Sequence, residues 1–152
     1  MSELRISYEP DDQWSGEMTV QVVSGAFSGA TTVWIGATSL GEFASALDRY
    51  PIPSDEPACM EVTYGATPDG RRPAETRIRL SVTPVGRRGE LLVRADLMAD
   101  VWSTSAEEVR QSVVACFTSE YGLVDRFARS LKSVASGQSG HAILESLPTS
   151  PA

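Results

Sequence analysis

The side chains best able to perform acid–base, nucleophilic or metal chemistry are one histidine, His141, and two cysteines, Cys59 and Cys116. Together they could hold a zinc ion, but they lack the paired spacing that marks zinc sites in a sequence. The cysteines stand far apart with no Cys-x-x-Cys, so in a reducing compartment we expect free thiols. His141 follows the last predicted helix, where a surface position is expected, and no Gly-x-Ser-x-Gly motif accompanies it. The sequence therefore predicts no catalytic residue, no metal ligand and no cofactor-binding residue.

The glycine-rich segment 25–43, GAFSGATTVWIGATSLGEF, is a second candidate, because closely spaced glycines can cradle a phosphate. The segment contains no Lys or Arg, and its first two glycines precede the predicted strand. A dinucleotide fingerprint places its glycines after a strand instead. We therefore interpret these glycines as turn residues, with Gly25 forming a hairpin and Gly36 and Gly41 flanking the start of a helix.

The stretch YEPDDQWSGE, residues 8–17, is the first choice for a binding surface. Four carboxylates surround one tryptophan there: Glu9, Asp11, Asp12 and Glu17 around Trp14. The stretch has no apolar periodicity, which predicts an exposed loop between the first two strands. Clustered carboxylates steer a cationic partner, and an exposed tryptophan supplies an anchor. The alternative is that Trp14 folds back over the sheet edge and the carboxylates only solvate the loop.

A second choice is the solvent face of the predicted sheet, where Trp34, Arg77 and Arg79 are expected to point outward. An aromatic residue beside several arginines is a composition enriched in protein interfaces. The alternative is that the arginines on this face form ion pairs with Glu61 and Asp96, and that Trp34 lies under a loop.

Strands dominate the first two-thirds of the chain, because apolar and polar residues alternate there. The predicted strands are LRISY, EMTVQVV, FSGATTVWI, CMEVTYG, TRIRLSVTPV, ELLVRADLM and EEVRQSVVACFTS, with HAILESL as a short final extended segment. A GRRG turn centred on Arg87 and Arg88 fixes the pairing of two of them. It pairs Ile78 with Leu97, Leu80 with Ala95 and Val82 with Val93, and it sets Arg79 opposite Asp96.

Two amphipathic helices are also predicted. The first begins near Leu40, with Ser39 and Glu42 as a capping box, and stops before the prolines of YPIP. The second ends at Gly137 and carries an apolar stripe of Leu123, Val124, Phe127, Leu131, Val134 and Ala135. Because each of these strands has one apolar face that must be buried against another element, we predict an α+β fold in which an antiparallel sheet of six or seven strands packs against the two helices. One core is expected to hold Phe43, Leu47, Leu80, Val93, Phe127 and Leu131.

The composition is that of an ordinary globular protein, with 152 residues of which 41% are hydrophobic and 22% charged. We expect a single domain over residues 1–147, a frayed tail over 148–152 and no internal repeat. A net charge of −7 disfavours nucleic acid as a partner. No apolar run is long enough to span a membrane, and the first residues contain no signal-peptide core. These features predict a cytoplasmic protein with no membrane partner.

Several segments, taken in order, carry a family resemblance: RISYEPDDQWSGEMTVQV, FSGATTVWI, FASALDRYP, IRLSVTP and VDRFARSLKSVASG. They resemble small bacterial proteins of a poorly characterised family that includes immunity proteins against wall-associated polymorphic toxins. The resemblance implies a non-enzymatic protein that binds a cognate toxin, such as a basic nuclease, and neutralises it by occlusion. It transfers no residue-level binding signature.

Two other functions stay open. One is a small-molecule or regulatory binding domain, with a pocket between the sheet and the helices lined by residues such as Tyr64 or Phe117. The other is a hydrolase that uses His141. An edge strand left unpaired could also support a symmetric dimer, so the oligomeric state is predicted only as monomer or symmetric dimer.

Overall fold

The computed structural model describes residues 1–65, 68–69, 75–98, 111–138 and 140–148. These residues form eight strands and two helices, which confirms the α+β class. The strands are β1 (Ser2–Pro10), β2 (Ser15–Ser24), β3 (Phe27–Gly36), β4 (Ala58–Tyr64), β5 (Glu75–Val85), β6 (Glu90–Met98), β7 (Ser112–Glu120) and β8 (His141–Glu145). The helices are α1 (Ala37–Leu47) and α2 (Tyr121–Ala135). The first residues of the seventh predicted strand, 107–110, and the tail beyond Pro148 lie outside the described residues.

The strands form two antiparallel sheets of four, so the prediction of one sheet with six or seven strands is wrong. Sheet A has the order β3-β2-β1-β8, and sheet B has the order β4-β5-β6-β7. Alternation within a strand marks its buried face, but it does not say which distant strand lies beside it. The two sheets share one hydrophobic cluster with both helices. β3 packs across β6 and β7, and the two helices pack on each other.

The predicted core is confirmed: Phe43, Leu47, Leu80, Val93, Phe127 and Leu131 are all buried in that cluster. The pairing of β5 with β6 is also as predicted, including Arg79 opposite Asp96. Gly25 has φ of +61° at the first central position of the β2–β3 hairpin, the position that favours glycine in a type II′ turn. Local turn chemistry therefore set these registers.

The ends of the helices agree with the sequence in one case and differ in the other. α1 begins at Ala37 with Gly36 as its N-cap and no side-chain capping bond, so the capping box at Ser39 and Glu42 is wrong. α2 ends as predicted, since Gly137 has φ of +81°. Its N–H donates to the Val134 carbonyl, and the next N–H, that of Gln138, donates to the Ser133 carbonyl, the pattern of a Schellman motif.

The chain contains an internal duplication, so the expectation of no repeat is also wrong. The order β1-β2-β3-α1-β4 recurs as β5-β6-β7-α2-β8, and each final strand pairs with the first strand of the other half. In sequence, LRISYEP (4–10) matches IRLSVTP (78–84), and FASAL (43–47) matches FARSL (127–131). The loops of the halves differ in length, so no single sequence period relates them. Positions related by this duplication are called equivalent below.

Candidate functional site

A hydrogen-bonded turn over residues 11–14 joins β1 to β2. Oδ1 of Asp12 accepts the N–H groups of Trp14, at 2.7 Å, and Ser15, at 2.8 Å. The Ser15 carbonyl in turn accepts the N–H groups of Asp11 and Asp12. An aspartate that bonds backbone groups just ahead of it is a common turn-forming device. The same two N–H groups stabilise the carboxylate and hold the pKa of Asp12 below its usual range.

Trp14 projects from this turn into solvent. Its side chain is 72% exposed, while its carbonyl accepts the N–H of Ala37, the first residue of α1, at 2.9 Å. The backbone of the loop is therefore tied to the start of α1, and the indole is free. The alternative in which Trp14 folds back over the sheet is not the arrangement found.

One row of exposed side chains crosses the end of sheet A beside this turn. Glu9 lies directly opposite Glu17, and Glu17 lies directly opposite Trp34, which is 49% exposed. Trp34, from the second predicted surface, is thereby joined to the first. We call Glu9, Asp11, Asp12, Trp14, Glu17 and Trp34 the acidic–aromatic surface.

The carboxylates of the acidic–aromatic surface are not neutralised. Like charges placed directly opposite each other, as Glu9 and Glu17 are, destabilise a strand pair. Among the residues that the structure describes, no cationic group lies within ion-pair distance of Glu9, Asp11, Asp12 or Glu17. The described side chains of this surface therefore carry negative charge that no described cation offsets.

The outer face of sheet B shows the opposite pattern, because its charges are paired. Arg79 Nε donates to Glu61 at 3.1 Å, and Arg94 makes two bonds to Asp96, at 2.8 and 3.2 Å. The bond from Arg79 lowers the pKa of Glu61. The alternative predicted for this face is thus found in part: the arginines pair with Glu61 and Asp96, but Trp34 is 49% exposed and not under a loop. Exposed ion pairs of this kind contribute little to stability.

Arg77 is the one predicted surface residue that the structure places elsewhere, since only 2% of it is exposed. Ile78 lies opposite Val62 and Thr76 lies opposite Thr63, so Arg77 is an extra residue in a β-bulge. The bulge breaks the alternation from which an outward position was predicted. The Arg77 guanidinium lies 4.6 Å from the centre of the Tyr64 ring, and its Nε donates to Glu75 at 2.9 Å. Arg77 therefore supports Tyr64.

Tyr64 and β3 border a cleft of about 420 Å³, lined by Glu17, Ala30, Thr31, Thr32, Val33, Trp34 and Tyr64. The Tyr64 hydroxyl accepts a hydrogen bond from the backbone N–H of Trp34 at 3.2 Å. Neighbouring residues of a strand point to opposite faces, so a cleft lined by five consecutive residues runs along the strand's edge. Tyr64 therefore lines a cleft at the edge of β3 and does not line a pocket between a sheet and the helices. Phe117, the other residue expected to line such a pocket, is buried in the core. Sequence analysis missed this cleft.

The groups best able to perform catalysis do not converge. Cys59 and Cys116 are free and exposed, as expected. His141 opens β8, opposite Ser7, in a shallow groove with Arg126 and other residues of α2. Within the described part of the chain, no three His, Cys, Asp or Glu side chains cluster as metal ligands would. No described helix has the length and apolar character needed to cross a membrane.

Comparison with models of protein families, with curated proteins and with solved structures found no match.

Proposed function

We propose that this chain is a non-enzymatic binding protein whose acidic–aromatic surface holds a cationic protein partner. The observation that carries the proposal is the pairing of two exposed tryptophans, Trp14 and Trp34, with four carboxylates that have no described cationic neighbour. Tryptophan is enriched at the energetic centres of protein interfaces, and unpaired carboxylates accelerate the approach of a positive partner.

The local structure supports recognition because it holds these groups in place before a partner arrives. The Asp12 turn fixes the backbone at Trp14, and strand pairing fixes Glu17 beside Trp34. Ordering loops on binding costs free energy, so a preformed surface retains more of its contact energy as affinity. Opposed Glu9 and Glu17 weaken the strand pair slightly, a cost that a partner's positive charge would offset.

The class of partner that we favour is a toxin neutralised by occlusion, such as a basic nuclease. Two lines support it: the resemblance to a family that includes immunity proteins, and the net charge of −7. Covering a partner's active site needs a complementary surface and no catalytic groups. A small-molecule binding domain is a weaker proposal, because the cleft at Trp34 follows a strand edge and suits a polypeptide better than a compact ligand.

The experiment starts from cationic proteins encoded in neighbouring reading frames. Each is expressed alone and with this chain, and growth arrest that the chain relieves identifies the partner. Purified proteins are then mixed at about 50 and about 300 mM salt, which changes the screening length about 2.5-fold. We expect the double variant Asp11→Asn with Asp12→Asn to slow association at low salt, because asparagine keeps the turn-forming oxygen and removes the charge.

A matched control removes two charges from the equivalent turn of the other half, Arg87→Gln with Arg88→Gln. That variant should associate at the wild-type rate or faster. The proposal fails if no cationic neighbour product binds, or if both double variants change the association rate in the same way.

A further inference from the structure

The duplication places two equivalent strand edges in the molecule, and one of them bonds to backbone from elsewhere in the chain. β7 is the outer strand of sheet B, as β3 is the outer strand of sheet A. The segment that follows β8 closes the edge of β7, because the Leu147 N–H donates to the Thr118 carbonyl at 2.9 Å. Ser119 also donates its hydroxyl to the Glu145 carbonyl at 2.8 Å. Here, backbone from elsewhere in the chain satisfies one carbonyl of the strand edge.

On the equivalent edge of β3, the residues that the structure describes supply one hydrogen bond to the backbone. Trp34 is equivalent to Thr118, since each stands three residues before its helix. The Trp34 backbone N–H donates to a side chain, the Tyr64 hydroxyl, whereas the Thr118 carbonyl accepts a backbone N–H, that of Leu147. Backbone groups of alternate residues point to the same side of a strand, so those of Thr32 and Ala30 face the cleft with that of Trp34. No described strand pairs with that side of β3.

The part of the β3 edge with no described strand beside it is longer than the first cleft. A second cavity of about 610 Å³ continues along β3 at Ser28, Gly29 and Ala30, and its other wall is formed by Leu97 and residues 111–113. The two cavities share Ala30, so together they follow the strand from Ser28 to Trp34. An exposed edge of this length is a ready template for an additional strand, which many proteins cover or charge to prevent pairing.

We infer that the β3 edge receives an extended, cationic segment of the protein partner as an added strand. This inference rests on the proposed function for the sign of the partner's charge. The backbone groups of Ala30 and Thr32 would supply the hydrogen bonds, and strand addition is an established mode of peptide recognition. Neighbouring strands lie about 4.8 Å apart, so a Lys or Arg on the outer face would stack on Trp34 and extend toward Glu17.

The probes are three acetylated and amidated nonapeptides. The first alternates Lys and Val, the second has the same sequence with alternate amides N-methylated, and the third alternates Glu and Val. Each is titrated into ¹⁵N-labelled protein. The Lys–Val peptide should shift the amide signals of Ala30 and Thr32. Methylation should weaken its binding about tenfold or more, since it removes at least two hydrogen bonds. The Glu–Val peptide should not bind at similar concentrations.

Thr32→Pro gives an independent test, because proline is tolerated on an edge strand where its nitrogen faces outward. This variant should keep the fold and raise the Kd for the Lys–Val peptide by about tenfold or more. Cys116→Pro, at the equivalent position of β7, is the matched control and should bind the peptide normally. If Thr32→Pro does not fold, the methylated peptide decides the question without a variant.

The outcomes separate the inference from the proposed function. Equal binding of the methylated and unmethylated Lys–Val peptides, with shifts at Trp14 and Glu17 only, overturns strand addition and leaves a cationic docking surface. Absence of binding by either Lys–Val peptide overturns strand addition, while the association of the cationic neighbour product decides the proposed function. A dimer of this chain that Thr32→Pro dissolves would overturn the inferred occupant and assign the edge to a second copy.

Discussion

Replacing Trp14 by alanine should separate binding from folding more sharply than any other single change. An exposed fraction of 72% leaves roughly 180 Å² of a tryptophan side chain available to a partner. At about 25 cal/mol per Å², burial of that area would contribute about 4 kcal/mol to association. Ordering the side chain costs about 1 kcal/mol, so Trp14→Ala should weaken binding by about 3 kcal/mol, or roughly 150-fold in Kd.

The same change should have a small effect on the isolated protein. The buried remainder of the side chain is about 70 Å², which limits the lost stability to less than about 2 kcal/mol. The Trp14 carbonyl keeps its bond from Ala37 whatever side chain the residue carries. Urea denaturation of both proteins measures this loss, and surface plasmon resonance with the cationic partner should show the affinity change mainly as faster dissociation.

Two results would refute this reasoning about Trp14. A loss of more than about 3 kcal/mol in unfolding free energy would mean that the indole supports the fold. An unchanged Kd in a folded variant would place the interface elsewhere, and Trp34→Ala would be measured next. Trp102 lies outside the described residues and stays unchanged in both variants, so it serves as the fluorescent reference.

Three further predictions concern charge and core packing. The pKa of Asp12 is lowered in the folded protein, so its turn contributes stability above the ordinary aspartate pKa of about 3.9 and loses that stability as the pH falls through the lowered pKa. In an NMR titration, the carboxyl resonance of Asp12 should therefore shift below pH of about 3.9. Asp12→Asn should abolish this contribution to the pH dependence of stability. Glu17→Gln should leave stability unchanged or raise it by up to about 1 kcal/mol while it weakens the partner's association, measured by urea denaturation and stopped flow. Phe127→Ala should cost about 3–5 kcal/mol in urea denaturation, and a loss below about 1 kcal/mol would contradict its position in the core.

The features predicted correctly from the sequence are those whose physical cause is local. The β5–β6 register follows from a short turn between two alternating strands, and the end of α2 follows from Gly137. The exposure of Trp14 and its carboxylates follows from a segment with no apolar period. In each case the residues that determine the feature lie within a few positions of it.

The features that were missed depend on contacts between distant residues. β4 leaves the first half to pair with β5, and β8 returns to pair with β1, which no local pattern indicates. The bulge at Arg77 is one extra residue in an otherwise clean alternation. The cleft needs Trp34 and Tyr64 to meet across two sheets, so its position follows from the bulge and the crossover together. Gly36 shows a smaller effect: backbone contact with Trp14 lets α1 begin without a capping side chain.

The two halves of the duplication differ in charge where they are equivalent in structure. Phe43 and Phe127 occupy equivalent buried positions, and each half uses the same Phe-Ala pair against the same core. The exposed turns have diverged: the first half carries Asp11 and Asp12 where the second carries Arg87 and Arg88. Packing constrains the buried positions, whereas exposed turns are free to change without loss of the fold. A single binding surface requires that difference, because two identical turns would present a partner with two equal sites. The acidic turn also lies beside the β3 edge, with which no described strand pairs, and the basic turn belongs to the half whose β7 edge bonds to the segment after β8. The acidic turn and the β3 edge therefore belong to the same half, which is the arrangement that a binding surface for an extended cationic segment requires.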